Sequence, residues 1–308
     1  MYELLIIGGG PAGLAAAVYA ARKRLNAVLV SVDIGGQLNW NSGVENYLGY
    51  QFITGPELIE KFQAQVNQFP IEQKIGSRVT GVKTIPGGFE AVTEKGEKYQ
   101  AKAVVLATGK RPRKLDVPGE SEYLGKGVTY CAVCDGPMFA GQRVAVIGGG
   151  NSAMEAALDM INIAEHIDIV SPRPLAGDTI LKERLAQAKN VTEYVGYEVT
   201  GIAGENFVKR VNIKNIRTGE TLYLPVAGVF VEIGLEPSAE IVKGLIPLNK
   251  TGEIPVSCSD ETTEPGIFAA GDVTDVSEKQ IIIAAGEGAK AALTAHRYLQ
   301  HLDIETKE

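Results

Sequence analysis

Two stretches of this chain repeat one another: Glu3-Leu-Leu-Ile-Ile-Gly-Gly-Gly-Pro-Ala-Gly-Leu-Ala-Ala-Ala17 and Arg143-Val-Ala-Val-Ile-Gly-Gly-Gly-Asn-Ser-Ala-Met-Glu-Ala-Ala157. Each reads as a short apolar strand, a glycine turn and an alanine-rich helix. A second apolar strand follows each helix, Ala27 to Ser31 in the first copy and Ile167 to Ser171 in the second. Strand, crossover helix and strand make a βαβ unit, so both copies demand a parallel sheet. Glycine numbers 36 among 308 residues, well above the usual share of about 7%. With no collagen-like period, that surplus belongs to tight turns and to places where a ligand approaches the main chain.

The likeness continues downstream. Lys102-Ala-Val-Val-Leu-Ala-Thr-Gly109 and Ala227-Gly-Val-Phe-Val-Glu-Ile-Gly234 each end an apolar run at glycine. Alternating polar and apolar residues before them predict antiparallel strands, over about 77–100 and 197–224. The remaining tail holds one more buried-strand pattern, Gly266-Ile-Phe-Ala-Ala-Gly-Asp272, and a long helix over Ile281 to Gln300. It is too short for a third domain, so it returns to complete the first sheet and makes the second unit an insertion. A length of 308 residues suits two domains of roughly 150 each. The expected fold is α/β with two Rossmann-like dinucleotide-binding domains, each three-layered with a parallel sheet plus antiparallel strands. One is discontinuous, residues 1–112 and 246–308, and 115–243 is inserted in it. Linkers are expected at Arg111-Pro112-Arg113 with Val117-Pro118-Gly119, and from Leu235-Glu236-Pro237 to Pro247.

Composition removes several classes. Hydrophobic residues at 45% and charged residues at 22% suit a globular chain and not a disordered one. Thirty Lys and Arg against 37 Asp and Glu give −7, with no basic run longer than Arg22-Lys23-Arg24, so no nucleic-acid partner is expected. No basic and apolar leader opens the chain and no segment nears the ~18 apolar residues of a membrane span. Three cysteines do not make a secreted disulfide framework. The expectation is a cytoplasmic protein, where a C-x-x-C pair means metal or redox chemistry.

Gly8, Gly10 and Gly13, with Pro11 and Ala12 inside the turn, satisfy G-x-G-x-x-G between a strand and a helix. A pyrophosphate would rest on the helix N-terminus, where unsatisfied N–H groups and the dipole favour an anion. Asp33, twenty residues past Gly13, stands where an acid accepts from a ribose hydroxyl. Gly148 and Gly150, followed by Asn151, Ser152 and Ala153, form the second copy, with the alanine that the fingerprint allows at its third position. A glycine turn serving only helix packing is the bland alternative, and two matches in matching contexts weigh against it. A 2′-phosphate needs fixed cations, whereas a free 2′-hydroxyl needs an acceptor. The second strand ends in Ser171-Pro-Arg-Pro-Leu-Ala-Gly177. Ser171 is a hydrogen-bonding partner and Arg173 a single cation, equally readable as a solvated loop residue. NADH is thereby favoured over NADPH.

Cys131-Ala-Val-Cys134-Asp135-Gly136 precedes the second glycine turn. Zinc needs four ligands and there is no second pair, so no metal is expected; His166, His296 and His301 are scattered core or surface residues. A redox dithiol suits the spacing better. Asp135 is then a candidate general acid for the thiolate formed as the disulfide opens, with an N-cap or turn carboxylate as the alternative reading. Cys258 has no near partner and reads as an inert strand cysteine.

Together these residues resemble the low-molecular-weight thioredoxin reductases over essentially the whole chain. The resemblance is carried by Gly8 to Gly13, Gly35-Gly36-Gln37-Leu38, Val44-Glu45-Asn46, Ala107-Thr108-Gly109, Cys131 to Gly136, Gly148 to Ala153, Phe268 to Asp272 and Gln280. Lys126 to Cys131 and Lys279 to Lys290 look most like the flavoprotein subunit of alkyl hydroperoxide reductase. That subunit carries an N-terminal thioredoxin-like extension and this chain opens on the first strand, so a separate carrier is expected. The resemblance implies FAD in the discontinuous domain, bound through the first glycine turn, Val32, Asp33, Gly36, Gln37, Leu38, Asn46, Val79, Gly109, Gly271, Asp272, Lys279, Gln280 and Ile281. It implies NAD(P) in the inserted domain, with Cys134 facing the flavin and Cys131 attacking a carrier's disulfide. A rotation between the domains and a homodimer are implied too. The carrier would be thioredoxin, a glutaredoxin-like protein or a peroxiredoxin-system protein. NADPH-dependent members show H-R-R-x-x-x-R where this chain has Ser171 to Gly177, and only Arg173 remains. Ferredoxin-dependent relatives have lost the second fingerprint, which this chain keeps. A ferredoxin-driven reductase or dithiol oxidase of the same fold stays the first alternative. A dinucleotide-binding regulatory protein with structural cysteines is the alternative from another class.

Overall fold

The computed structural model describes residues 1–40 and 43–305. In chain order the first elements are β1 (Tyr2–Ile7), α1 (Pro11–Arg22), β2 (Ala27–Ser31), α2 (Gly55–Val66), β3 (Glu72–Ile75), β4 (Val79–Ile85), β5 (Gly88–Thr93), β6 (Lys98–Leu106) and β7 (Lys110–Pro112). Then come β8 (Val128–Thr129), α3 (Ala132–Asp135), β9 (Arg143–Ile147), α4 (Asn151–Met160), β10 (His166–Ser171), α5 (Thr179–Ala186), β11 (Val191–Val195), β12 (Tyr197–Gly204), β13 (Val208–Asn215), β14 (Thr221–Pro225) and β15 (Gly228–Val231). The chain closes with β16 (Leu235–Pro237), β17 (Ile267–Ala269) and α6 (Ile281–Glu305). They form two compact units, the first from Met1–Asn39, Tyr47–Arg111 and the chain from Glu236 on, the second from Trp40–Asn46 and Pro112–Leu235.

In the first unit β3, β2, β1 and β6 lie side by side and parallel, and β17 joins β6 in parallel with Ile267 beside Val104. The tail therefore completes the first sheet. Leu4 to Ile7 are buried on both faces, as a covered parallel strand requires. Alternation splits them. Leu4, Ile6, Leu29 and Val105 meet the alanines of α1 and α6, while Leu5, Ile7, Val30 and Leu106 meet Val82, Phe89, Ile241 and Ile254. Fully burying each such side chain is worth about 1.5–3 kcal/mol. The sequence reading separated a strand near 100 from one beginning at Lys102, but the structure has a single strand, β6. Its first half pairs antiparallel with β5, Phe89 beside Ala101, and its second half receives β17. A nine-residue strand is long enough to serve both neighbours.

The second unit repeats the plan, with β11, β10, β9, β15 and β8 all parallel. Val144, Val146, Ile169 and Phe230 face α4, while Ala145, Ile147, Val170 and Val229 face the separate antiparallel sheet of β12, β13 and β14. Asp168, fully buried in β10, is held by a two-pronged Arg143 guanidinium at 2.8 Å.

Two boundaries differ from the sequence reading. Trp40–Asn46 belongs to the second unit, although 1–112 was expected to be continuous; the chain has left the first sheet by the 3-10 turn Gly36–Trp40. The return crossing comes at Glu236 and not at 243–246, because Ala239, Ile241, Val242 and Ile246 are apolar and buried in the first unit's core.

Candidate active site

The first glycine turn is built by close approach. Gly8 has φ +116°, and a Cβ there would strike the Ala107 carbonyl; a Cβ on Gly13 would strike the carbonyl of Gly8. Above Gly10, by contrast, the space is open. Gly10 is the N-cap of α1, Pro11 fills its first turn, and no side chain caps the helix. The segment after β2 folds back over this turn: Gly35 N–H donates to Gly9 O at 2.8 Å, and Asp33 Oδ1 accepts from Gly36 N at 3.1 Å. Gln37 Nε2 donates to Asp272 Oδ2 at 3.0 Å. Gly271, φ +77°, donates to Glu287 Oε2 at 2.7 Å and approaches Ala12.

Around Asp272 lies a compact ion network. Burial pushes the Asp272 carboxyl above its ordinary range, against Lys279, Gln37 and Lys110. Burial and the neighbouring Lys110 push the Lys279 ammonium down, while its Nζ donates to Thr274 O at 2.6 Å. Ser77 N and Gly76 N donate to Ser31 O and Val32 O, which brings the approach to Val79 beside exposed Val32. Gly109 follows β6 at φ +68° and accepts from Ser238 N at 2.9 Å. Leu38 is buried, and Gln280 and Ile281 open α6.

The second glycine turn matches the first in detail. Gly148 has φ +146° and would strike the Glu232 carbonyl, Gly150 faces open space, and no side chain caps α4. Ala176 N–H donates to Gly149 O at 2.7 Å, as Gly35 does to Gly9. Asn151 ties the same loop down through Asp178, with Asp178 N to Oδ1 at 2.9 Å. Ser152 is exposed and Ala153 buried. Ser171 is buried and its hydroxyl donates to Arg173 O at 2.7 Å, so its proton is engaged within the loop; the Arg173 side chain is exposed.

Cys131 and Cys134 form a disulfide with Cα atoms 5.4 Å apart. Cys131 is the N-cap of α3 and its Sγ accepts from Cys134 N at 3.2 Å. Asp135 is buried, and its carboxylate accepts from the hydroxyl of Thr129, whose oxygen in turn accepts from Cys131 N at 3.1 Å. The carboxylate makes no cap bond to the following 3-10 turn. Cys258 is a correction: it sits in an exposed turn and not in a strand, because Ser257 and Glu261 close a loop there.

Comparisons with known proteins bear on this arrangement. A sequence profile described as pyridine nucleotide-disulphide oxidoreductase matches residues 2–288. The chain belongs to this family. The F component of alkyl hydroperoxide reductase from Staphylococcus aureus (strain MSSA476) is 42% identical over 299 residues, 97% of this chain. This chain spans 59% of that relative's length. The thioredoxin reductase of Streptococcus pyogenes MGAS5005 superposes with a TM-score of 0.92 at 38% identity, over 98% of this chain and 99% of that one. That of Giardia duodenalis does so at 0.89 and 33%, over 97% and 99%.

As a member of the pyridine nucleotide-disulphide oxidoreductase family, the chain is expected to take FAD and a pyridine nucleotide, and its residues fit both. Two helix N-termini lack side-chain caps, and Gly10 and Gly150 leave open the space a Cβ would fill. Gly8, Gly10, Pro11, Ala12, Gly13, Asp33, Gly36, Gln37, Gly271, Asp272 and Lys279 come together in the first unit, whereas Asn46 lies in the second. Sequence reasoning missed Lys110, Glu253 and Glu287 beside Asp272 and Lys279. A lysine directly after Ala107-Thr108-Gly109 was the available signal. It also missed Glu232, a lone acid in the apolar run Val229 to Gly234.

Proposed function

We propose that this chain is a flavin-dependent disulfide oxidoreductase. It would pass an electron pair from NADH through FAD to the Cys131–Cys134 disulfide, and on to a thioredoxin-like, glutaredoxin-like or peroxiredoxin-system protein. The observation that carries this reading is the Cys131–Cys134 disulfide in the same unit as the Gly148–Ala153 turn. Bound FAD supplies a carrier that accepts hydride from a nicotinamide and releases the pair to a disulfide.

The first unit is the FAD-binding domain in this reading. The N-terminus of α1 holds the pyrophosphate, Asp33 accepts from a ribose hydroxyl, and Asp272 and Lys279 fix the remainder. The second unit is the NAD(P)-binding domain. NADH is preferred because the Ser171 to Gly177 loop offers one cation, Arg173. Cys131 attacks the carrier's disulfide as a thiolate, forming a mixed disulfide and releasing one carrier sulfur. Cys134 then displaces the second sulfur, which re-forms the Cys131–Cys134 bond and frees the carrier as a dithiol. Asp135, joined through Thr129 to the Cys131 amide, supplies protons to the sulfurs. The working form is a cytoplasmic homodimer.

An anaerobic titration tests this reading. NADH should bleach the flavin band at lower concentration than NADPH, and Cys131→Ser should keep that bleaching while losing reduction of every carrier. Failure of both nicotinamides, or carrier reduction by Cys131→Ser, defeats it. The engaged hydroxyl of Ser171 favours a second reading, a ferredoxin-driven reductase or dithiol oxidase of the same fold. Faster flavin reduction by ferredoxin than by either nicotinamide would select it.

A further inference from the structure

Strand β17 leaves the first sheet through Gly271 and Asp272, and one buried acid on the helix that follows reaches back to that exit. Glu287 of α6 accepts from the Gly271 N–H through Oε2 at 2.7 Å. The carbonyl of the same residue is held as well: Thr274 N and Thr274 Oγ1 donate to Gly271 O at 3.0 and 2.9 Å. One residue upstream, Ala270 N donates to Leu106 O at 2.9 Å and fixes the end of the sheet. Lys279 joins the same loop, its Nζ donating to Thr274 O at 2.6 Å. Gly271 itself has φ +77°, a conformation open to glycine, the residue with the most backbone freedom to lose. Its position is therefore set by what grips it.

Two close approaches place this grip against the first glycine turn. A Cβ on Gly271 would stand 3.0 Å from the Ala12 Cβ, and a Cβ on Gly288, the residue after Glu287, would collide with the Ala12 carbonyl oxygen. Ala12 is the second residue of α1, whose N-terminus carries no side-chain cap. Asp272 follows Gly271 directly, and its Oδ2 accepts from Gln37 Nε2 at 3.0 Å. A Cβ on Gly36, the residue before Gln37, would stand 3.5 Å from Gly10 Cα. Glu287 thus joins α6 to the Gly271–Asp272 exit at the point where both meet the first turn of α1.

We infer that Glu287 is a positioning residue for FAD, holding the Gly271 amide so that Asp272 stays fixed beside the first glycine turn. The inference rests on the proposed flavin site in the first unit. A loop anchored before its ligand arrives needs no ordering on binding, whereas a loop freed of its anchor must be ordered by the ligand. That cost is read as weaker binding and faster release. Removing the acceptor also leaves the N–H of buried Gly271 without its partner, so the loop shifts to find another. Glutamine keeps an acceptor oxygen at the same reach and removes the charge. Leucine keeps the bulk and removes both, so the two substitutions separate the hydrogen bond from the charge.

The test follows FAD leaving the full, FAD-loaded chain, as recovery of free-flavin fluorescence after dilution into FAD-free buffer. Glu287→Leu should release FAD about tenfold faster than the unsubstituted chain, and Glu287→Gln should stay within about twofold of it. Release from Glu287→Leu at the unsubstituted rate overturns the proposal. Equal acceleration in the glutamine and leucine variants overturns it too, because the effect would then belong to the charge and not to the acceptor. Urea unfolding of the FAD-free forms is the control: a purely structural role lowers the midpoint of Glu287→Leu and leaves its release rate alone. If the leucine variant does not fold, a second measurement needs no variant. Hydrogen exchange resolved to the Gly271 amide in the unsubstituted, FAD-loaded chain should be slow, and exchange at the rate of an open peptide overturns the proposal. Neither readout involves a nicotinamide or a carrier. A chain that takes up no FAD defeats the flavin reading itself, whereas a flavin that NADH bleaches and that Glu287→Leu releases at the unsubstituted rate defeats only Glu287.

Discussion

Glu253 and Asp260 lie in the same unit and are moved in opposite directions by their surroundings. Burial works against the Glu253 charge, yet hydrogen bonds from Lys110, Asn249 and Thr251 outweigh it and hold the carboxyl at about 2. Burial of Asp260 wins over its ion pair with Lys290, 3.0 Å away, and pushes that carboxyl up to about 6. A lowered acid contributes stability that is present above its ordinary value of 4.5 and is lost as pH falls toward 2. A raised acid does the reverse: the folded chain holds its proton more tightly, so stability falls as pH climbs from about 4 to 6. Urea unfolding across pH 2.5–7 should therefore show Glu253→Gln flattening the acid-side loss and Asp260→Asn removing the decline between 4 and 6. Asparagine suits the site because Asp260 has φ +62°. Parallel pH curves for either variant and the parent would refute that assignment. At this scale the glycines of the two turns were legible in the sequence, since only glycine accepts a backbone wedged against Ala107 or Glu232. The acids Glu232, Glu253 and Glu287 were not, because burial by distant segments gives them their character.

Helices α1 and α6 share the face of the first sheet and touch through small residues. A Cβ on Gly288 would collide with the Ala12 backbone, whereas Gly286, two positions earlier, meets nothing within 4 Å. Gly288→Ala should push the helices apart and cost about 2–3 kcal/mol, while Gly286→Ala should stabilise by about 0.5–1 kcal/mol through helix propensity alone. Chemical denaturation of the two variants checks the contrast, and equal effects would disprove close helix contact at Gly288. Helix α6 was read at its start, yet it runs to Glu305 and not to Gln300. Helix α2 went unread although Thr54 and Glu57 form a capping box, with the Thr54 amide on Glu57 Oε2 at 3.0 Å. Merging of the predicted strands into β6 was beyond local pattern, because alternation does not say which partner each half of a strand will find.

For the molecule as a whole, the insertion makes its own prediction. Arg111 Nε lies 3.4 Å from Glu236 Oε2, so the two ends of the first unit's chain are adjacent where 112–235 departs and returns. Replacing 112–235 by a short glycine-serine linker should leave a chain that unfolds cooperatively and keeps its far-ultraviolet helix signal. A gradual, non-cooperative transition would count against the independence of the first unit. No described helix is long and apolar enough to cross a membrane.

By itself, the sequence determined the βαβ repeat, the two glycine turns, the return of the tail to the first sheet and the C-x-x-C pair. Those features rest on local rules: a strand buried on both faces must be apolar, a turn with positive φ favours glycine, and two-residue spacing suits a disulfide. Tertiary structure alone decided that Trp40–Asn46 belongs to the second unit, that the crossing falls at Glu236, and that Lys110 and Lys279 gather beside Asp272. Each of these turns on which distant segments meet, and on how far their meeting excludes water from a charge.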